Sequence, residues 1–292
     1  MRSVASVAAG IAGSQRLLAL PVIVLGLAGV AWAPAQSSGP LAYLGFDRNV
    51  YPGAAALPKL RRTFAFAGFW LNSPPGESSN SWSGKRQILL DNGFGFLILF
   101  NGRSEHELKA QADPASLGAA DARVAAASAF KEGFPYGALI FIDQEEGGRM
   151  LPEQQAYLNA WADEVSAEGF RPGIYCSGIP AREEKGVTIV TANDIHEHAG
   201  KRQISFFVYA DACPPSPGCA YGTAAPLPEA SGVPFASVWQ FAQSPRRRNF
   251  TRACRATYAA DGNCYFPADS GAGQIFLDLD SATSSDPSNG RR

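Results

Sequence analysis

Eight short runs of aromatic, aliphatic and β-branched residues recur along this chain, with helix-like stretches between several of them. The runs are Tyr43–Asn49, Phe64–Leu71, Phe94–Asn101, Ala138–Glu145, Arg171–Gly178, Ile204–Asp211, Ala236–Gln243 and Gln274–Asp280. Their composition is that of strands, and near-continuous apolar strands are buried on both faces, as in a parallel sheet. Eight such strands alternating with helices predict an α/β fold, a closed (β/α)8 TIM-type barrel, over an open doubly wound sheet. A barrel of this kind takes about 250 residues as one domain, and residues 40–281 are assigned to it.

The helix signals lie where the barrel needs them. Ser83–Asn92 ends before Gly93, and Asp113 is placed to cap an alanine-rich helix over Pro114–Glu132 that stops at Gly133. Pro152–Glu168 carries Tyr157, Leu158, Trp161 and Val165 at helical spacing. Thr191–Ala199 is shorter, and Ala54–Arg62 is a weak helix. Residues 212–235 and 244–273 carry little helix signal, so irregular or missing helices are predicted in the C-terminal third. The polar tail beyond Ser281, residues 282–292, reads as disordered.

The first 35 residues read as a segment outside the fold. Arg2 and Arg16 precede an apolar run from Leu17 to Ala33, followed by Ala33-Pro34-Ala35. That order suits a cleaved secretory signal, with an uncleaved N-terminal anchor as the rival. Either places the rest of the chain outside the cytoplasm: secreted, periplasmic or at the cell surface. Cysteine usage agrees. Cys213 and Cys219 flank one turn-rich loop and Cys254 and Cys264 another, which suits two local disulfides in an oxidising compartment. Cys176 is left over inside an apolar strand. Zinc is not expected, because C-x-x-C spacing is lacking and His106, His196 and His198 are not placed to complete a site; no cofactor is assigned, although clustered carboxylates could hold a hard cation such as calcium or magnesium. A net charge of −1 gives no broad electrostatic reason to bind nucleic acid. The short basic clusters at 59–62, 246–248 and 291–292 read as solvated patches, and a monomer is expected.

In β/α barrels the functional site forms at the carboxyl ends of the strands. Here those ends hold Asp47, Trp70, Asn101, Asp143 to Glu146, Tyr175, Trp239-Gln240 and Asp278 to Asp280. Folding alone does not call for polar groups at one end of otherwise apolar strands. The sharpest signal is Ile142-Asp143-Gln144-Glu145-Glu146-Gly147-Gly148. Side chains alternate along a strand, so Asp143 and Glu145 are predicted to face the mouth together. Crowded carboxyls cannot both ionise freely, and a carboxyl that keeps its proton near neutral pH can protonate a glycosidic oxygen. The plainer alternative is helix capping or pairing with Arg149. Trp70, Tyr175 and Trp239, with Trp82 as a further candidate, offer faces for sugar rings or, equally, for a core. Gln240 beside Trp239 adds hydrogen-bonding capacity.

Four stretches together resemble a bacterial glycoside hydrolase-like domain family of unknown function. They are Gly45-Phe46-Asp47-Arg48-Asn49-Val50-Tyr51-Pro52-Gly53, Gly68-Phe69-Trp70-Leu71-Asn72, the Asp143 motif, and Gly173-Ile174-Tyr175-Cys176-Ser177-Gly178. That family is similar in fold to family 25 glycoside hydrolases, the lysozyme-type muramidases. The resemblance implies Glu145 as general acid, Asp143 and Asp278 shaping charge and positioning substrate, and Asp47 as a further carboxylate of the site. Asn101, Glu146 and Asp280 join Trp70, Tyr175, Trp239 and Gln240 as candidate substrate contacts. The sequence departs from the family 25 pattern at Phe241, at Asp280 and in the extra Glu146. Two functions follow as expectations. One is a glycosidase acting on cell-wall peptidoglycan or another extracellular polysaccharide, by a retaining or neighbouring-group route. The other is a non-catalytic glycan binder on the same scaffold.

Overall fold

The computed structural model describes residues 42–183, 186–210, 225–242 and 277–292. The N-terminal segment, Asp211, the four loop cysteines and the basic run at 246–248 lie outside these residues, so the readings made on them stay sequence readings.

Eight strands close into a barrel: β1 (Tyr43–Asp47), β2 (Phe66–Trp70), β3 (Gly95–Asn101), β4 (Leu139–Asp143), β5 (Arg171–Ser177), β8 (Ser205–Tyr209), β9 (Ala236–Ala242) and β10 (Asp278–Ala282). A small hairpin, β6 (Ala181–Arg182) with β7 (Thr188–Ile189), sits outside it. Strands β2, β3 and β4 are buried along almost their whole length, as their unbroken apolar sequences require. Large rings fill the interior, and glycines on neighbouring strands make room. A Cβ on Gly45 would fall 2.0 Å from the Phe66 ring, and one on Gly173 would fall 2.5 Å from the Phe141 ring.

The helices stand close to their sequence positions: α1 (Leu57–Leu60), α2 (Arg86–Asp91), α4 (Pro114–Glu132), α5 (Pro152–Ala167) and α6 (Thr191–His198). Asp113 caps α4 by accepting from the Ser116 N–H at 3.0 Å, and Gly133 ends it at φ 82°. Helices α4 and α5 pack tightly because Gly118 is a glycine, since a Cβ there would lie 2.2 Å from the Tyr157 carbonyl oxygen. One helix was not foreseen, α3 (Glu105–Lys109). Its signal is the capping box of Ser104 and Glu107, legible once sought: each side chain bonds the other residue's backbone N–H.

Two expectations need correction. The eighth strand is Asp278–Ala282, and it runs antiparallel to both neighbours, β1 and β9. Its carboxylates therefore stand at the start of the strand, not at its end. Because the direction is reversed, Asp278 still reaches the mouth, in register with Asp47 at the end of β1. The reversal also carries the chain to the barrel floor, which bears on the second correction.

The tail is ordered. Ser288 is fully buried, its N–H bonds the Phe96 carbonyl at 2.9 Å, and its carbonyl accepts from the Leu139 N–H at 2.9 Å. Polarity suggested disorder, but these polar groups satisfy strand ends that need partners.

Candidate functional site

The mouth of the barrel holds most of the predicted residues at one level. Strand pairing places Asn101 beside Asp143, Asp143 beside Tyr175, Gln240 beside Asp280, and Asp278 beside Asp47. A cleft of about 500 Å³ opens next to them, with Asn101, Asp143, Glu145 and Glu146 among its walls. Asn72 and Arg103, neither singled out from sequence, line it too.

Asp143 is 7% exposed, and its Oδ1 is buried without a hydrogen-bond partner. Burial, then the charge of Glu145, then those of Asp47 and Glu146 hold its carboxyl well above the usual range. Glu145 is exposed and projects into the cleft. It lies past the end of β4, so strand alternation is not what orients it.

A second group of carboxyls sits behind, on the β1–β10–β9 side. The Gln240 amide donates to Asp47 Oδ2 at 2.7 Å, and the Tyr175 hydroxyl donates to Gln240 Oε1 at 2.8 Å. Burial raises Asp47 to about 6, against the Gln240 hydrogen bond and the neighbouring Asp280, which pull it down. Asp280 is fully buried and lies well above the ordinary range, first through burial and then through the charges of Asp47 and Asp278. Both Asp280 carboxyl oxygens are buried without a hydrogen-bond partner, so nothing offsets the desolvation that raises this group. Burial, then the Asp143 charge, keeps the half-buried Tyr175 phenol protonated. Tyr175, Gln240 and Asp47 thus form one hydrogen-bonded chain across the barrel, with the buried Asp280 carboxyl beside it.

The chain fixes a sign for pH dependence. Asp47 has a folded value of about 6 against an ordinary 3.8, so between those values the folded protein binds a proton that the unfolded chain releases. Stability should therefore fall as pH rises through that window. Denaturant midpoints taken from pH 4 to 6 should slope downward for the parent and less steeply for Asp47→Asn. An equal slope in the two proteins would contradict the assignment.

Gly68 makes the site possible. A Cβ there would fall 2.5 Å from Asp47 Cβ and 3.0 Å from its Cα. Gly68→Ala should cost about 1–3 kcal/mol through overpacking, measured by denaturant unfolding, and should displace Asp47 from Gln240. Sequence carried the hint, since a glycine inside a strand marks a close approach.

The aromatics are placed differently from the sequence reading. Trp70 is 4% exposed and Trp239 6% exposed. Gln240 faces the interior, so Trp239, its neighbour on the strand, faces out, packs edge-on against Phe241 and donates to the Ala210 carbonyl at 2.8 Å. The indoles of Trp70 and Trp82 both donate to the Arg48 carbonyl, at 3.1 and 3.2 Å, and brace the end of β1. Trp82 and Trp161 are fully buried core. Neither Trp70 nor Trp239 presents an open ring face for a sugar.

Asn101 is locked to Asn72: its N–H donates to Asn72 Oδ1 at 2.8 Å, and its carbonyl accepts from Asn72 Nδ2 at 3.0 Å. Glu146 has both carboxyl oxygens engaged by protein donors, the Glu105 N–H at 2.6 Å and the Gln144 amide. Cys176 is buried, and burial alone pushes its thiol up, which makes it inert. Among the described residues, no group of three or more His, Cys, Asp or Glu is arranged to hold a metal ion.

Residues 72–203, somewhat under half the chain, match the Rv2525c-like, glycoside hydrolase-like domain. The match covers the Asp143 motif and the β5 motif and agrees with the resemblance read from the sequence. Similar solved structures include an uncharacterised B. stearothermophilus protein, 17% identical, with TM-score 0.49 over 82% of this chain and 95% of that one. The Mycobacterium tuberculosis Tat-secreted protein Rv2525c, solved with HEPES, is 15% identical, with TM-score 0.45 over 86% of this chain and 98% of that one. The bacterial lysozyme from Streptomyces coelicolor is 12% identical, with TM-score 0.44 over 87% of this chain and 100% of that one. No curated protein matches the chain.

Proposed function

We propose that this protein is a glycosidase acting on a glycan outside the cytoplasm, cell-wall peptidoglycan or another polysaccharide, with Glu145 as the general acid. The observation that carries this reading is the pair at the cleft: Glu145 exposed in its wall, and Asp143 beside it, buried and raised well above the ordinary carboxyl range. Two carboxyls this close resist ionising together, so the pair can supply the proton that a leaving group needs. The match of residues 72–203 to a glycoside hydrolase-like domain supports the same class. An N-terminal sequence that reads as a secretory signal or an anchor supports the compartment.

The chemistry proceeds in two steps. Glu145 gives its proton to the glycosidic oxygen, and the bond from the anomeric carbon breaks with its electron pair on that oxygen. Positive charge developing on the sugar is met by Asp278 or Asp47, or by the substrate's own N-acetyl oxygen. Water then adds to the anomeric carbon, and its proton returns to Glu145.

The binding-only alternative is less well supported. A sugar-binding surface presents aromatic faces, whereas Trp70 and Trp239 are buried and the cleft wall carries carboxylates and amides. The test is reducing-end release from purified peptidoglycan and a panel of polysaccharides by the full chain. Release supports the glycosidase reading. Retention on an insoluble glycan with no release would overturn it in favour of the binder.

A further inference from the structure

We infer that Glu146 is a positioning residue whose carboxylate clasps the two walls of the cleft together and so fixes Glu145 between them. The role assigned to Glu145 rests on the glycosidase reading, but the clasp does not. One wall is the turn after β3, Asn101 to Ser104, leading into α3; the other is the segment after β4, Asp143 to Glu146. Glu146 Oε1 accepts from the backbone N–H of Glu105, the first residue of α3, at 2.6 Å. Its Oε2 accepts from the side-chain amide of Gln144, which is 1% exposed. Each oxygen therefore ties down a different wall. The backbone makes the same approach, since a Cβ on Gly102 would lie 2.6 Å from the Asp143 carbonyl oxygen.

The strand ends at Asp143, so strand alternation does not direct the Glu145 side chain. On its N-terminal side, the Gln144 N–H bonds the Tyr175 carbonyl at 3.0 Å. On its C-terminal side, Glu146 is the anchor. Held at both flanks, Glu145 stays in the cleft wall as the chemistry requires. With both oxygens taken by protein donors, Glu146 contacts the scaffold rather than substrate.

Removing the clasp and preserving it predict opposite results. In Glu146→Gln the side-chain oxygen still accepts from Glu105. The new amide can donate to Gln144 once that amide rotates, because Gln144 Oε1 is buried without a partner. In Glu146→Ala both bonds are lost. With the full-length protein, we expect Glu146→Ala to lower kcat by about tenfold or more with KM within about twofold, the pattern of a displaced catalytic group. Amide hydrogen exchange at Glu105 should quicken by about tenfold or more, since the exchange rate follows local opening. Glu146→Gln should stay near the parent in both readouts.

Parent-like exchange at Glu105 in Glu146→Ala would overturn the clasp. Loss of activity in Glu146→Gln with Glu105 still protected would overturn it too, by putting the Glu146 charge in the chemistry. If the parent releases no sugar from any glycan, the glycosidase reading fails, and the exchange measurement alone decides the clasp.

Discussion

Glu145→Gln is expected to lower kcat for glycan hydrolysis by more than about a hundredfold, the usual scale for losing a general acid, while leaving stability nearly unchanged. The two halves of this expectation have separate causes. Glu145 is exposed and lies beyond the end of β4, so an isosteric amide disturbs no packing. The same amide cannot give up a proton, so the leaving oxygen must depart unprotonated. Asp143→Asn tests the partnership. Asp143 is held well above the usual range partly by the Glu145 charge, and the coupling is mutual. With a neutral amide at 143, the negative charge that an ionised Asp143 sets beside Glu145 is gone, so the second ionisation of the pair is no longer resisted and the alkaline limb of the kcat profile should move to lower pH. Kinetics across pH on the most active glycan, beside thermal melts, read both effects. A Glu145→Gln variant within about threefold of the parent would exclude it as the acid, since even modest acid catalysis is worth more. An alkaline limb that stays in place in Asp143→Asn would separate the two carboxyls.

Much of this was legible because burial and periodicity are written locally. Unbroken apolar runs such as Phe96–Phe100 can hide both faces only inside a closed or covered sheet, and polar residues recurring at their ends marked the mouth. What could not be read were orientations set by distant partners. Trp239 and Gln240 were proposed as joint contacts, yet alternation allows one of the two inside, and only the pairing of Gln240 with Asp47, far away in sequence, decides which. Glu146 looked like one more carboxylate for substrate because its partner, the N–H of Glu105, belongs to a helix too short to announce itself by periodicity. Direction failed at β10 for a related reason. A strand's sequence does not state whether it pairs parallel or antiparallel, and Asp278 reached its place through a reversal.

Removing residues 286–292 is expected to lower the melting temperature by about 10 °C or more, because this segment completes the barrel floor. Strands β3 and β4 pair only from Ile98 and Ile140 upward. Below that level the tail lies between them: Ser288 bonds Phe96 and Leu139 through its backbone, and its hydroxyl oxygen accepts from the Ile98 N–H at 2.9 Å. Asp286 holds the insert in shape. Its carboxylate accepts from the N–H groups of Phe96 at 2.9 Å, Gly290 at 3.1 Å and Arg291 at 3.0 Å. Arg86, itself buried, secures the end by donating to the Gly290 carbonyl at 2.8 Å. Contact there is close enough that a Cβ on Gly290 would meet Phe96 Cβ at 2.9 Å. Deletion would strip partners from several strand N–H and C=O groups, each costing about 1–3 kcal/mol where water cannot replace the partner. Two or three such losses come to several kcal/mol, a large share of a typical folding free energy of about 5–15 kcal/mol. At about 2–4 °C per kcal/mol for a domain of this size, a fall of 10 °C or more follows. Asp286→Ala should reproduce part of the loss, and deletion of Arg292 alone should reproduce little of it. Thermal melts of the three variants against the full chain decide the matter: a truncated protein melting within about 2 °C of the parent would mean that the tail rests on the floor without completing it.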